Sequence, residues 1–426
     1  MTVQRATRLF YLLTITRWFP VGLIVGIFIL VPTGRGLTIA EATTATAVSG
    51  LVCFALELPT SGFADAFGRR GVYLAAAVVN VAAALAFFFA QSFLAFVIAA
   101  ALTGVFRALD SGPLEAWFVD SVHEDRPGAD VDQELSRAGT LLGLGMAVGA
   151  VVSGLLIWWH PLTDQPALDL PVAVYAALTV VHLLAVAVLL KEGPRQHRTR
   201  AAMESVRETP KVIADGLRLV LRNRVLLGII LAEVCWSIGM IAFESLLPLR
   251  LEEMLGSAQL AGAAMGPVAA AGWAVFAFGT WLAGRASTRW GVARAAILGR
   301  ALNALGVIIM GLVLTPVGLL AAYFFTYTMH GLNGPPHSAL LHREASAKNR
   351  STVLSMNSMM AFLAFGIAAP LAGMVADRTS IAMAMLAVGA VSAFGVFGYL
   401  PARRAELQRG DPSPPGSDQS PHIQPS

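Results

Sequence analysis

The stretch SGFADAFGRR, residues 61–70, is a short polar break between two long apolar runs. The runs cover residues 38–59 and 72–90. A helix needs about 20 apolar residues to cross the hydrocarbon core of a bilayer, so each run predicts a membrane span. Gly68 predicts a tight turn between the two helices, because glycine adopts backbone conformations that other residues avoid. Asp65 places an anion where free backbone N–H groups of a helix end can bind it.

The same pattern continues along the 426 residues of the chain. Hydrophobic residues make up 56% and charged residues only 13%, with a mean hydropathy of +0.67. Soluble domains carry about twice that share of charge, so too little polar surface is left to cover a water-soluble body. We therefore predict an all-α membrane protein with twelve transmembrane helices. The predicted spans cover residues 10–31, 38–59, 72–90, 94–120, 135–159, 169–190, 224–248, 262–283, 293–315, 317–341, 352–375 and 380–400.

A hydrophilic stretch in the middle of the chain divides the spans into two sets of six. We predict an N-terminal six-helix bundle over residues 1–190 and a C-terminal one over 224–401. Residues 191–223 form a cytoplasmic central loop, in which Val206–Leu221 is either an amphipathic helix on the membrane surface or a solvated linker. Residues 402–426, rich in Pro and Ser, are predicted to be a disordered cytoplasmic tail.

Orientation follows from the distribution of Lys and Arg. With the N-terminus inside, 24 of the 30 positive residues fall on the cytoplasmic side, 3 on the outer side and 3 within spans. This predicts a multi-pass protein of the bacterial inner (cytoplasmic) membrane with both termini in the cytoplasm. The positive residues are scattered in short loops, so we expect the lipid bilayer, and not nucleic acid, as their partner. Cys53 and Cys235 lie inside apolar runs, which predicts neither a disulfide nor a metal site.

A second loop repeats the first one at the matching place in the other half. The stretch GRASTRWGVAR, residues 284–294, follows span eight as residues 61–70 follow span two. Aligning Gly291 with Gly68 brings Gly284 to position 61, with Arg289 between the two glycines. A degenerate repeat at the same site in each half is typical of a duplicated transporter.

The first loop resembles the signature loop of the major facilitator superfamily, Gly-x-Leu-Ala-Asp-Arg-x-Gly-Arg-Arg. The matching positions are Ala64, Asp65, Gly68, Arg69 and Arg70, and the departures are Ser61, Phe63 and Ala66. The resemblance extends through the span count and the repeat over about residues 8–400. It implies two pseudo-symmetric six-helix bundles and secondary transport by alternating access.

The resemblance also implies a role for the loop cluster, which we define as Asp65, Gly68, Arg69, Arg70 and Asp120. In the family, the matching Asp and Arg hold the two halves together when the cavity faces outward. By resemblance, Asp65 and Arg69 take that role and Asp120 is a candidate third member. The alternative is a basic membrane anchor with a helix cap, which we favour for Arg70.

Ionisable groups deep in a span usually face a cavity or a partner. The candidates for substrate or proton binding are Arg17, Arg107, Asp110, Glu115, Glu233, His330 and Asn333. The resemblance implies a cavity lined by spans one, four, seven and ten. Arg107 and Asp110 are three residues apart, so they form either an ion pair on one helix face or part of a substrate site. Glu233, near mid-membrane, is either a proton carrier or a hydrogen-bonded helix contact, and His330 can change charge near neutral pH or pack.

Span four contains Arg107 and Gly112, similar to a motif of drug–proton antiporters, although their spacing is one residue longer. Span five has the glycines of those antiporters but not the proline. No catalytic motif or metal-ligand spacing is present, so we predict no enzyme and no cofactor, with the proton gradient as the energy source. We expect a monomeric, efflux-type transporter of an apolar or amphipathic compound. The alternatives are an importer of an organic anion and a non-transporting sensor or scaffold.

Overall fold

The computed structural model describes residues 1–60, 63–192, 199–346 and 349–410. Every regular element in this part of the chain is helical, as a bilayer requires when each backbone polar group must be paired within its own segment. The α-helices are α1 Val3–Val25, α2 Leu30–Gly34, α3 Ile39–Thr60, α4 Phe63–Phe67, α5 Arg69–Phe89, α6 Phe93–Asp110, α7 Pro113–Asp125, α8 Asp132–Trp159, α9 Asp169–Leu189, α10 Thr199–Arg222, α11 Arg224–Ile241, α12 Leu247–Leu255, α13 Ala258–Trp290, α14 Val292–Leu312, α15 Pro316–Glu344, α16 Arg350–Arg378, α17 Ile381–Gly398 and α18 Leu400–Gly410.

Eleven helical segments of the described residues are long and apolar enough to cross a membrane. The remaining predicted span, span ten, corresponds to α15, which has 29 residues and packs against α13 and α14. Its composition is more polar because it includes His330, Asn333, His337 and a charged end. The predicted all-helical membrane fold is confirmed, with this one span recognised by its packing.

Three spans are interrupted where the sequence predicted continuous helices. In span one, α1 ends at Val25 and a turn over residues 26–29 leads into α2. Span four divides into α6 and α7 at Ser111 and Gly112, since Gly112 has a φ of +95° and Pro113 starts the next helix. Span seven runs from α11 through a π-helical turn, Ala242–Leu246, into α12. A π-helical turn inserts one extra residue into a helix and often marks a functional site.

The two halves share one pattern of helix pairing. In the first half α1 packs on α8 and α9, α5 on α6 and α9, and α3 on α6. In the second half the helices that correspond six spans later repeat this pattern: α11 packs on α16 and α17, α14 on α15 and α17, and α13 on α15. Between the halves, α3 packs on α16 and α8 on α13. The contacts therefore have the two-fold pseudo-symmetry that the resemblance implied.

The two sides of the membrane-spanning body differ in how the halves meet. We call the side that carries the turns at Gly68 and Gly291 the glycine face, and the other side the Asp377 face. At the Asp377 face one hydrophobic cluster includes residues of both halves, among them Ile27 and Met265. At the glycine face the buried hydrophobic residues form two separate clusters, one in each half. The halves are thus joined at the Asp377 face.

Close backbone contacts seal the Asp377 face. Helix α8 meets α13 at Gly154 and Gly266, where an added Cβ on Gly266 would lie 2.5 Å from the carbonyl oxygen of Ala150. The Asp377 carboxylate, from α16, accepts hydrogen bonds from the backbone N–H of Ile39 (3.1 Å) and Ala40 (2.8 Å) at the start of α3. These two contacts lie at the two symmetry-related seams between the halves.

The segments outside the two bundles contain more helix than predicted. Helix α10 occupies most of the predicted central loop and contacts α3 and α4 of one half and α11 and α16 of the other. Helix α18 extends to Gly410, so the predicted disorder is wrong for residues 402–410, and residues 411–426 lie outside the described part. Glu406 and Arg343 form an ion pair at 2.9 Å that helps to fix α18 on the second half.

Candidate functional site: a cavity between the two halves

A cavity of about 520 Å³ lies between the halves on the glycine-face side of the sealed contacts. Its wall comes from α1, α3 and α6 of the first half and from α11, the π-helical turn and α16 of the second. The polar and aromatic residues that line it are Phe28, Thr46, Ser49, Thr103, Arg107, Glu233, Trp236, Ser237, Glu244, Ser245, Ser358, Phe362 and Phe365. A mostly apolar site of this volume with a few convergent polar groups suits a small organic ligand.

The lining helices differ from the expectation in one respect. Spans one, four and seven line the cavity as the resemblance implied, but spans two and eleven complete it and α15, span ten, does not. His330 of α15 stacks on Trp236 at 5.0 Å and against Phe276 at 4.9 Å, behind the lining ring of Trp236. His330 is therefore a packing residue here, and its neighbour Trp236 forms the wall.

Arg107 and Asp110 do not pair with each other. Asp110 instead binds Arg17 of α1, whose Nη2 lies 3.0 Å from Asp110 Oδ2 and whose Nε donates to it at 3.1 Å. The Arg17 side chain is only 6% exposed and lies over the rings of Trp18 and Phe106. Arg107, one helical turn before Asp110, is exposed in the central cavity, 5.2 Å from the Phe362 ring. Of the two alternatives for Arg107 and Asp110, the ion pair on one helix face does not form, because Arg17 from another helix reaches Asp110.

Glu115 lies apart from the central cavity. It lines a second cavity of about 370 Å³ within the first half, together with Arg17, Tyr73 and Asp110. This cavity adjoins the break between α6 and α7. The candidates Arg17, Asp110 and Glu115 therefore lie together there, while Arg107 and Glu233 line the central one.

Glu233 connects the central cavity to a buried polar cluster in the second half. Its Oε2 lies 3.4 Å from His337 Nε2 and 3.9 Å from Arg300 Nη2. Arg300, which is 1% exposed, also donates to Asn333 Oδ1 at 2.7 Å and to the Tyr399 hydroxyl at 3.2 Å. A buried guanidinium is costly without a counter-charge, and Glu233 is its nearest carboxylate among the described residues. Asn333 is thus a structural partner of Arg300.

The loop cluster is partly assembled at the glycine face. Arg69 Nε donates to Asp120 Oδ2 at 3.4 Å, while Arg70 donates to the carbonyl oxygens of Leu190 (2.6 Å) and Ala187 (3.0 Å). Arg70 therefore caps the end of α9. The Asp65 side chain lies outside the described part of the structure, so its role as a half-joining residue stays a prediction.

A pair of symmetry-related carboxylates, missed in the sequence, completes both turns. Glu192 accepts from the backbone N–H of Arg69 (3.1 Å) and Arg70 (2.9 Å) after Gly68. Glu406 does the same for Val292 (3.1 Å) and Ala293 (3.0 Å) after Gly291.

The two turn glycines have nearly the same backbone geometry, φ of +85° and +86°. The other members of the second repeat, Gly284 and Arg289, are exposed at the end of α13. The sequence did offer one signal for Glu192 and Glu406, since each is an acidic residue just beyond the last span of its half.

The 223-residue offset between Gly68 and Gly291 relates further buried groups. It aligns Asn80 with Asn303, Arg107 with His330 and Asp110 with Asn333. Asp110 and Asn333 each accept a hydrogen bond from a buried arginine of their own half, Arg17 and Arg300 respectively. The two halves thus keep a buried arginine with a matching acceptor, although the arginine comes from a different span in each.

A membrane body of two symmetry-related helical halves around a central cavity defines a transporter, and not an enzyme. The chain belongs to the Major Facilitator Superfamily, whose family model matches residues 10–334 and 268–421. No curated protein matches the sequence.

Solved structures share the fold at low identity. The nucleoside transporter NupG is 11% identical, with a TM-score of 0.75 over 94% of this chain and 99% of that one. A POT family transporter in complex with 5-aminolevulinic acid is 12% identical, with a TM-score of 0.68 over 92% and 94%. A structure from the proton dependent oligopeptide transporters is 13% identical, with a TM-score of 0.68 over 95% of this chain and 100% of that one.

Proposed function

We propose that the chain is a secondary active transporter that moves a small amphipathic organic molecule across the bacterial cytoplasmic membrane by alternating access. The observation that carries this proposal is the central cavity between two symmetric halves whose buried hydrophobic residues form one shared cluster at the Asp377 face and separate clusters at the glycine face. Rocking of one half against the other about such a site exposes it to each side in turn. The positive-inside distribution supports a cytoplasmic location for the glycine face, so the cavity would face the cytoplasm in this state.

Proton coupling is proposed to act through Glu233. This carboxylate lines the cavity and also lies next to His337 and Arg300. Arg300 Nε and Nη1 are buried without a hydrogen-bond partner in the described structure, so Arg300 depends on the nearby negative charge of Glu233. A proton on Glu233 would remove that charge and favour repacking of α11 against α14. Such a link between protonation and helix position is what coupling requires.

Export is the direction we propose, because the cavity wall is mainly apolar and takes up an amphipathic compound from the cytoplasmic side. Import of an organic anion is the second candidate, and the exposed guanidinium of Arg107 favours it. The arginine offers a planar pair of donors that matches a carboxylate.

The experiment is a transport measurement in a bacterium that lacks its main drug exporters. A fluorescent amphipathic dye is added, and its accumulation is followed with and without a protonophore in cells that express the wild type, Glu233→Gln or Glu124→Gln. Glu124 is an exposed carboxylate at the end of α7 and is the matched control. We expect the wild type and the control to lower accumulation, and both the protonophore and Glu233→Gln to abolish the effect.

If the chain imports an organic anion, accumulation should rise instead of fall. Wild-type cells should then accumulate more of a labelled anion such as benzoate than empty-vector cells do, and Arg107→Gln should remove the difference. Accumulation of both probes at the empty-vector level would count against transport of amphipathic compounds by this chain.

A further inference from the structure

The central cavity carries charges of opposite sign on its two walls. Arg107 enters from α6 of the first half, and Glu244 enters from the π-helical turn of the second half. Glu233 also lies on the second wall but is already close to Arg300 and His337. A ligand that fills the cavity therefore meets a cation on one side and a carboxylate on the other.

The Glu57 carboxylate of α3 is near enough to Arg107 to act on its charge, but Arg107 still has its hydrogen-bond donors available for a ligand. Among the described residues it has no hydrogen-bond or ion-pair partner, and its only close ring contact is Phe362, at 5.2 Å from the guanidinium carbon. The other arginine of this part of the first half, Arg17, is committed to Asp110 and is nearly fully buried. A guanidinium that lies against a ring, with its N–H groups unpaired, is well placed to bind a carboxylate in a bidentate way.

Glu244 has capacity for a further donor. The Tyr327 hydroxyl donates to its Oε1 at 3.3 Å, while an ionised carboxylate can accept about four hydrogen bonds. One helical turn before Glu244 the wall is formed by Met240, whose side chain offers no hydrogen-bond donor. A carboxylate in such a site is stabilised when a positive group pairs with it. A primary ammonium group supplies both the charge and up to three donors.

The space between the two charges suits a planar apolar body. Trp236, Phe362 and Phe365 line it, and the Trp236 Nε1 donor is buried without a partner in the described structure. A sphere of the cavity's volume, about 520 Å³, is about 10 Å across, which leaves room for one aromatic ring with small substituents. Stacking against these rings adds to the apolar burial of the ligand.

We infer that the transported molecule is a small amphoteric aromatic compound, with its anionic group on Arg107, its ring among Trp236, Phe362 and Phe365, and its cationic amine on Glu244. Such a molecule bridges the two halves and neutralises both walls at once. The inference rests on the proposed transport function and specifies its substrate class.

The test uses the purified full chain in lipid nanodiscs and four probes built on one ring. The probes are 4-(aminomethyl)benzoate, 4-methylbenzoate, 4-methylbenzylamine and 4-methylbenzyl alcohol, which differ in charge but little in size. Isothermal titration calorimetry gives each dissociation constant, and the midpoint of thermal unfolding gives an independent measure of binding. We expect the amphoteric probe to bind at least tenfold more tightly than any of the other three.

Two variants assign the ends of the probe. Arg107→Gln should weaken binding of the amphoteric and anionic probes tenfold or more and leave the amine unchanged, while Glu244→Gln should weaken the amphoteric probe and the amine only. Arg107→Lys keeps the charge but not the planar pair of donors, so it should bind the amphoteric probe more tightly than Arg107→Gln and less tightly than the wild type. Arg137→Gln, a change of an exposed arginine on α8, is the matched control and should leave all four constants unchanged.

Three results would overturn the inference: tightest binding by a singly charged or neutral probe, equal effects of Arg107→Gln on all four probes, or binding of none of them by protein that remains folded. The dye and benzoate accumulation measurements are independent of these probes. Transport of either compound together with failure of the binding series would reject the substrate class and leave the proposed function standing.

Discussion

Asp377 is predicted to hold the two halves together at the Asp377 face, and its removal should shift the conformational equilibrium. Asp377→Ala deletes two charge-assisted hydrogen bonds to the start of α3, at 3.1 and 2.8 Å. Hydrogen bonds to a charged group contribute about 1.5–3 kcal/mol when buried, and this carboxylate is exposed, so we take about 1.4 kcal/mol for the pair. That free energy corresponds to about a tenfold change in the ratio of closed to open Asp377 face.

The assay is a distance measurement between spin labels on Cys replacing Asp164 and Thr379, which are exposed on this face in different halves. In the wild type we expect most molecules to show the short distance between the labels. In Asp377→Ala the ratio of molecules with the long distance to those with the short distance should rise about tenfold.

Glu253→Ala is the matched control, since that carboxylate pairs with Arg250 inside one half. An unchanged distance distribution in Asp377→Ala, or the same change in the control, would show that the Asp377 contact does not hold this face closed.

Three further predictions concern packing and the buried charges. Gly266→Ala should also populate the open Asp377 face, because its Cβ would lie 2.5 Å from a backbone carbonyl oxygen of α8. Gly284→Ala is the control, since an added Cβ there would have no heavy atom within 4 Å, and it should leave the face closed. The same spin labels measure both variants. Arg300→Gln should lower the free energy of unfolding by about 3 kcal/mol, because Glu233 and Asn333 lose their buried partner, and urea titration should show partial recovery in the double variant with Glu233→Gln. Glu406→Gln should lower the free energy of unfolding by about 1 kcal/mol, because α14 loses its carboxylate cap and Arg343 loses its ion pair. A thermal unfolding midpoint equal to that of the wild type would contradict this role.

The sequence by itself determined that the chain lies in a lipid bilayer, how many times it crosses it and which family it belongs to. Continuous apolar runs of about 20 residues, such as 38–59 and 72–90, predict helical spans, because a helix pairs every backbone group within its own segment. The turn glycines Gly68 and Gly291 revealed the duplication, since each lies in a similar loop after the second span of its half. These features are local in the chain, so pattern and spacing are sufficient to predict them.

Only the tertiary structure decided which charged groups meet. Asp110 could pair with Arg107 three residues before it, yet it binds Arg17, which is 93 residues away in sequence. Glu192 and Asp377 were missed for the same reason, because each binds backbone N–H groups of a helix that is far away in the chain. Such contacts depend on how each helix is rotated about its own axis and on which helix packs opposite it. The residues next to each group in the chain determine neither of these. The free guanidinium of Arg107 in the cavity is the result of that choice of partners.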